Sequence, residues 1–266
     1  METAVGRISK SKSRHNPAAS CPIPASLEAM GAVLGANQVR DALCAPASQR
    51  IGPFEVANSV VPARYVSGDF VVTFEHDGLH YLVLGDLMGK GLSAAMWLTL
   101  VVDLVRRACE RGGELWEIMD RLNSEMHRSL IGVPLTAMFM ARLHPGDSRV
   151  SYSCGGCPAA FLLRADGTVK TLDCGGPIVG ALPDSTYHSS TIELHPDETL
   201  MAVSDGVIEI HNGKDFELRP DRVVNHLKYT AGDTASAIVN SLTAQAREQT
   251  TTFNDDLSVL AIKRIS

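Results

Sequence analysis

Apolar residues in the stretch 26–43 recur at Leu27, Met30, Val33 and Leu34, a spacing that predicts a leading helix, although Gly31 and Gly35 weaken it. Strand-like runs follow from Ile51 onward, and then come two longer helical stretches, 92–111 and 114–130. The second carries Leu115, Ile118, Met119, Leu122 and Met126 on one stripe, which reads as core packing. Beyond Pro134 the pattern returns to strands over 137–143, 150–153, 159–163, 169–172 and 199–204, with Asp166-Gly167 as a hairpin turn. A further helix is expected over 234–249, with Ala235, Ile238, Val239, Leu242 and Ala246 facing inward, before a β-branched closing strand over 257–263. Runs of strands interrupted by paired helices predict an α+β sandwich rather than alternating βαβ units.

The stretch 66–95 is the most informative. Asp77-Gly78 between two apolar runs is a hairpin signal, because both central residues of a type I′ turn need positive φ. A two-residue loop there sets Asp69 directly opposite Asp86. Cross-strand partners have Cβ atoms about 4.5 to 5.5 Å apart, and like charges at that distance are destabilising unless something positive lies between them. A divalent cation answers that need; the plainer reading is that each aspartate merely ends a strand. Gly89 and Gly91 allow a sharp bend from strand into helix that brings the Leu87 carbonyl near the same point. Lys90 does not make a P-loop, since Gly91 follows it in place of Ser or Thr and the glycine spacing is one residue short.

Two more carboxylates sit at the edges of apolar strands. Asp205-Gly206 follows the run 200–204, and Asn254-Asp255-Asp256 precedes the closing strand. Together with Asp69 and Asp86 they would form an oxygen-rich site suited to Mg2+ or Mn2+, whereas zinc would ask for His or Cys beside them.

Composition narrows the classes. The 266 residues carry a formal charge of -6, and no stretch approaches the roughly 18 uninterrupted apolar residues of a membrane span. The one basic cluster, 7–14, lies in a polar N-terminal tail and gives no folded nucleic-acid-binding face. That tail lacks the apolar core of a secretory signal, and six cysteines do not make a dense disulfide framework, so a cytoplasmic protein is expected. Cys154 and Cys157 form a C-x-x-C pair with no second pair to complete a zinc site, and small residues in a tight turn are the simpler account. His76 and His80 flank the hairpin turn with no obvious acidic or cysteine partner and read as surface turn residues. Arg64 either contacts a substrate phosphate through its guanidinium fork or is an ordinary surface arginine.

Five separated motifs now stand in order: Pro62-Ala63, Val66-Ser67-Gly68-Asp69-Phe70, Gly85-Asp86-Leu87-Met88-Gly89-Lys90-Gly91 with Ala94-Ala95, Ser204-Asp205-Gly206-Val207-Ile208-Glu209, and Asp255-Asp256-Leu257-Ser258. Over 39–265 the chain resembles the SpoIIE/RsbU branch of the PPM metal-dependent protein phosphatases. The resemblance implies an αββα four-layer sandwich, with two central, mainly antiparallel sheets flanked by helices. This domain would occupy 46–266, after a disordered tail (1–24) and a leading helix (25–45). It also implies two Mn2+ or Mg2+ ions and hydrolysis of phosphoserine or phosphothreonine on a regulatory protein, an anti-sigma factor antagonist of STAS type, by attack of a metal-bridging hydroxide.

Carried over by motif, Asp86 would bridge both metals with the Leu87 carbonyl beside it, and Asp69, Asp205 and Asp255 would complete the shells. Asp256 falls at a variable polar position. Val72 stands where the family often has a further Asp, and Cys154-Gly155-Gly156-Cys157-Pro158 lacks that segment's histidine. No separate sensor domain is expected ahead of the catalytic region, which makes the leading helix the candidate contact for an activating partner or a homodimer. The competing expectation is a phosphatase-like module that binds a signalling partner without turnover; retention of all four aspartates argues against it.

Overall fold

The computed structural model describes residues 26–89, 91–129, 132–156, 159–173, 175–212, 215–249 and 255–265. Helix α1 (Leu27–Leu43) leads into strands β1 (Ser48–Ile51) and β2 (Phe54–Val61), followed by the hairpin of β3 (Asp69–His76) and β4 (Leu79–Leu87). Helices α2 (Leu92–Glu110) and α3 (Leu115–His127) come next. Then follow β5 (Thr136–Leu143), β6 (Arg149–Gly155), β7 (Ala159–Leu163), β8 (Val169–Leu172), β9 (Gly175–Gly176), β10 (Ser189–Glu193) and β11 (Thr199–Val203). A short helix α4 (Asp205–Ile208) opens into the ribbon β12 (Glu209–Asn212) and β13 (Asp215–Leu218); α5 (Pro220–Tyr229), α6 (Ala235–Gln249) and β14 (Leu257–Arg264) complete the order.

Two antiparallel sheets stack at the centre. One runs β1-β2-β14-β11-β7-β8 and the other β10-β6-β5-β4-β3, with β9 added in parallel to β6. Three apolar clusters divide the layers. Val71, Leu82, Leu84 and Phe139 meet Val56, Leu162, Leu200 and Leu260 between the sheets. Phe70, Val72, Tyr81 and Val83 point the other way, onto Leu98, Val105, Ile118 and Leu122 of α2 and α3. On the far side Phe161, Met201 and Val259 pack beneath Ile238, Val239 and Leu242 of α6. The order helix, sheet, sheet, helix is the expected four-layer sandwich. Because both faces of β3 and β4 are covered, these strands read as near-continuous apolar runs rather than clean alternations.

The helix boundaries have local causes. Ser26 caps α1, its Oγ accepting from the Ala29 N–H at 3.1 Å, and α3 opens on a reciprocal capping box between Glu114 and Glu117. Helix α1 runs through Gly31 and Gly35 and buries none of its residues, lying against α2 with Leu27 and Leu34 in solvent. Its Asn37 Nδ2 donates to the Tyr65 carbonyl, 3.0 Å, in the loop that leads to Asp69. Among the described residues no helix is long and apolar enough to cross a membrane. The N-terminal tail, Lys90, Leu130, Cys157 and Asn254 lie outside the described residues.

Two expectations are corrected. Strand β6 continues to Gly155, so Cys154 is a buried strand residue in the inter-sheet core rather than part of a turn. His76 and His80 do face acids. His80 lies directly across the hairpin from Glu75, Nε2 to Oε2 3.8 Å, and His76 Nε2 is 3.5 Å from Asp77 Oδ2. The tight turn that aligns the aspartates also forces these neighbours together.

His226 of α5 is buried, with Nε2 3.0 Å from the Ile238 carbonyl, which can only accept. Burial lowers its pKa below the ordinary 6.5. A depressed folded-state pKa means the unfolded chain takes up the proton first, so this contribution to stability is present above pH 6.5 and is lost as pH falls through the folded value. Urea unfolding at pH 7.5 and 5.5 should therefore show wild type losing more stability over the interval than His226→Gln.

Candidate active site

The hairpin places the first pair. Asp77 and Gly78 take φ of 51° and 73°, and the two-residue loop sets Asp69 directly opposite Asp86, with Phe70 opposite Gly85. Asp69 is almost fully buried and Asp86 half-buried. Just upstream, Gly68 approaches the turn after β4 so closely that an added Cβ would stand 2.9 Å from the Leu87 carbonyl oxygen. The Leu87 N–H in turn donates to the Gly68 carbonyl at 3.3 Å. The Leu87 carbonyl therefore lies beside the start of β3, where the sequence put it.

The second pair arrives from the other sheet. Asp205 is the first residue of α4, at the end of β11, and Asp255 lies two residues ahead of β14, the strand paired with β11. Burial first, and after it the charges of Asp86, Glu209 and Asp255, together push the Asp205 pKa up to about 6. For Asp69 burial again comes first and Asp86 second, and its pKa stands well above the usual carboxylate range, with the hydroxyls of Ser258 and Ser204 opposing the rise. All four aspartates are thus joined in one electrostatic field that crosses the gap between the sheets.

The charges that shift Asp69 and Asp205 are all carboxylates. Asp69 Oδ2 and Asp205 Oδ1 are buried without a hydrogen-bond partner among the described residues. A buried carboxylate oxygen left unpaired among like charges costs several kcal/mol on the scale of about 1 to 3 per orphaned group, more when charged. A hard cation ligated by these oxygens would remove that cost, so the donor set fits Mg2+ or Mn2+. Among the described residues no three acidic, histidine or cysteine side chains are already at chelating distance, so the aspartates share a field without forming a closed shell.

Arg64 is exposed on the loop between β2 and β3, and its guanidinium makes no hydrogen bond or ion pair with the described residues. Val72 points away from the aspartates into the helix-facing core. Two residues were given no site role from sequence, Asp256 falling at a variable polar position. Glu209 adds its charge to the field at Asp205. Asp256 is buried, and its carboxylate accepts from the Ala63 and Gly68 amides and from Ser67 Oγ. The Asp256 charge also adds to the rise in the Asp69 pKa, so its carboxylate lies beside the cluster.

Gly206 sits where α4 passes over β14. A Cβ there would fall 2.1 Å from the Asp256 carbonyl oxygen, and a backbone atom at that position cannot step aside. Gly206→Ala should cost about 1 to 3 kcal/mol through overpacking, read from urea denaturation, and displace the adjacent Asp205.

Two antiparallel sheets between helical layers, with carboxylates gathered at one end, make this the fold of PP2C phosphatase domains. The SiaA-PP2C domain of Pseudomonas aeruginosa aligns with a TM-score of 0.72 at 17% identity, over 89% of this chain and 95% of that one. RsbX in complex with magnesium aligns with a TM-score of 0.60 at 16% identity, over 81% and 97%. The family described as Stage II sporulation protein E (SpoIIE) matches residues 76–265, and the chain belongs to it. The phosphoserine phosphatase RsbU of Bacillus subtilis is 24% identical over 208 residues, 77% of this chain but 61% of RsbU, so the chain spans less than two thirds of that relative's length.

Proposed function

We propose that the chain is a metal-dependent protein phosphatase that hydrolyses phosphoserine or phosphothreonine on a regulatory protein. The observation that carries this reading is the convergence of Asp69, Asp86, Asp205 and Asp255 in one field, with one buried oxygen each of Asp69 and Asp205 making no hydrogen bond to the described residues. Membership of the SpoIIE family and similarity to the phosphoserine phosphatase RsbU support the reaction class. In this reading Asp86 and the Leu87 carbonyl bind at the centre of a two-cation site, with Asp69, Asp205 and Asp255 as the outer ligands. Bound there, two Mn2+ or Mg2+ ions supply an activated water and positive charge to the phosphoryl oxygens.

The protein's own contribution is to hold these carboxylates on rigid strand ends, where little reorganisation is needed. Exposed Arg64, one short loop upstream of Asp69, is free to take a phosphate oxygen in its guanidinium fork. The substrate expected from the family is a phosphorylated anti-sigma factor antagonist. Helix α1, with no buried residue and a bond from Asn37 to the Arg64 loop, is the contact proposed for an activating partner or a second copy.

The test is phosphate release from a phosphoserine protein with and without Mn2+. Metal-dependent turnover supports the enzyme. Tight binding of the phosphoprotein with no release would instead make the chain a recognition module.

A further inference from the structure

Asp256 stands beside the proposed site without belonging to the ligand set, and its contacts reach three of the segments that supply ligands. Its carboxylate is buried and accepts three hydrogen bonds from the loop ahead of β3. The Ala63 N–H donates to Oδ1 at 2.6 Å; Ser67 Oγ and the Gly68 N–H donate to Oδ2 at 2.8 and 2.7 Å. Ser67 Oγ in turn accepts from the Asp69 N–H at 3.0 Å, so the chain of bonds ends on the backbone of an aspartate in the cluster. The Asp256 N–H donates to Asp255 Oδ1 at 2.9 Å, and its carbonyl oxygen accepts from Ser204 Oγ at 3.4 Å and packs against Gly206.

We infer that Asp256 is a positioning residue: it locks the loop that carries Arg64 and leads into Asp69 in register with Asp205 and Asp255. The inference rests on the phosphatase reading above. The chemistry requires a carboxylate rather than an amide. All three groups facing the side chain are donors, and a carboxylate offers them only acceptors. Asparagine has the same shape, but its NH2 must confront either the Ala63 amide or the Gly68 amide, donor against donor. Charge-assisted bonds from backbone amides are also the strong kind, suited to holding a loop whose partner strand is distant in sequence.

The experiment compares wild type, Asp256→Asn and Ser67→Ala by Mn2+ titration calorimetry, apo melting temperature and amide hydrogen exchange. Loss of a partner that orients metal ligands typically costs about 10- to 100-fold in metal affinity. Asp256→Asn should bind Mn2+ at least about tenfold more weakly, with faster exchange at Ala63, Gly68 and Asp69 and unchanged exchange inside β11. Ser67→Ala, which removes only the relay, should move the same way by less, and carries the test if the Asn variant does not fold. A lower apo melting temperature with wild-type Mn2+ affinity would mean a merely structural role and would overturn the inference alone. A wild-type chain that takes up no Mn2+ would overturn the phosphatase reading and this inference together.

Discussion

Asp86→Asn is expected to release phosphate from a phosphoserine protein at least about a hundredfold more slowly than wild type in Mn2+, a loss that even an outer partner of a metal ligand can cause. The same variant should melt at a higher temperature than wild type when metal is absent. These opposite signs follow from one fact. Asp86 is the foremost charge acting on both Asp69 and Asp205, and each of those carboxylates is already disfavoured by burial. Neutralising Asp86 at constant shape relieves both, so the apo fold gains; the same change deletes the proposed central ligand, so the loaded protein loses. Metal stabilises the native state by mass action, and each tenfold loss of affinity removes about 1.4 kcal/mol of that stabilisation when the ion is in excess. Scanning calorimetry with and without Mn2+ separates the effects. A variant whose Mn2+-induced rise in melting temperature matched that of wild type would take Asp86 out of the ion site.

The opposition of Asp69 and Asp86 was legible because it depends on local geometry alone: a positive-φ Asp-Gly turn and a period of two carry the register from the loop back to the strand ends. The stripes of α3 and α6 were legible for a similar reason, since all five inward positions named for each are buried. What could not be read depends on distant pairing. β14 inserts between β2 and β11, and only that placement brings Asp256 to the Ala63 amide, 193 residues away in the chain. No short-range pattern marks such a contact. Elements with weak apolar signals were missed as well. The edge strand β10 is mostly exposed, and the ten residues of α5 bury only Val223, His226 and Leu227 after opening on Pro220. The His80–Glu75 pair is different: it lies on the same hairpin register as the aspartates, and the rule that found one pair also contained the other.

Phe70→Ala should remove about 3 to 5 kcal/mol of stability, a fifth or more of the roughly 5 to 15 that a domain has to lose. Phe70 is fully buried one residue after Asp69, facing Leu98 and Ile118 in the helix-side core. Its cross-strand partner is Gly85, the residue before Asp86, and a Cβ built on Gly85 would stand 2.2 Å from the ring Cζ. The tip of the ring therefore lies over the glycine and fills the space a side chain would take, clamping β3 and β4 together beside the two aspartates. A double-mutant cycle isolates that contact. Gly85→Ala alone should be destabilising, because the ring cannot retreat from a packed core without strain. In the Phe70→Ala background the same methyl enters the vacated space and recovers part of the loss, for a coupling of about 1 kcal/mol or more of favourable sign. Urea denaturation of the four proteins measures it. Strictly additive effects would mean that the ring and the glycine do not touch, and the register that aligns Asp69 with Asp86 would then owe nothing to Phe70.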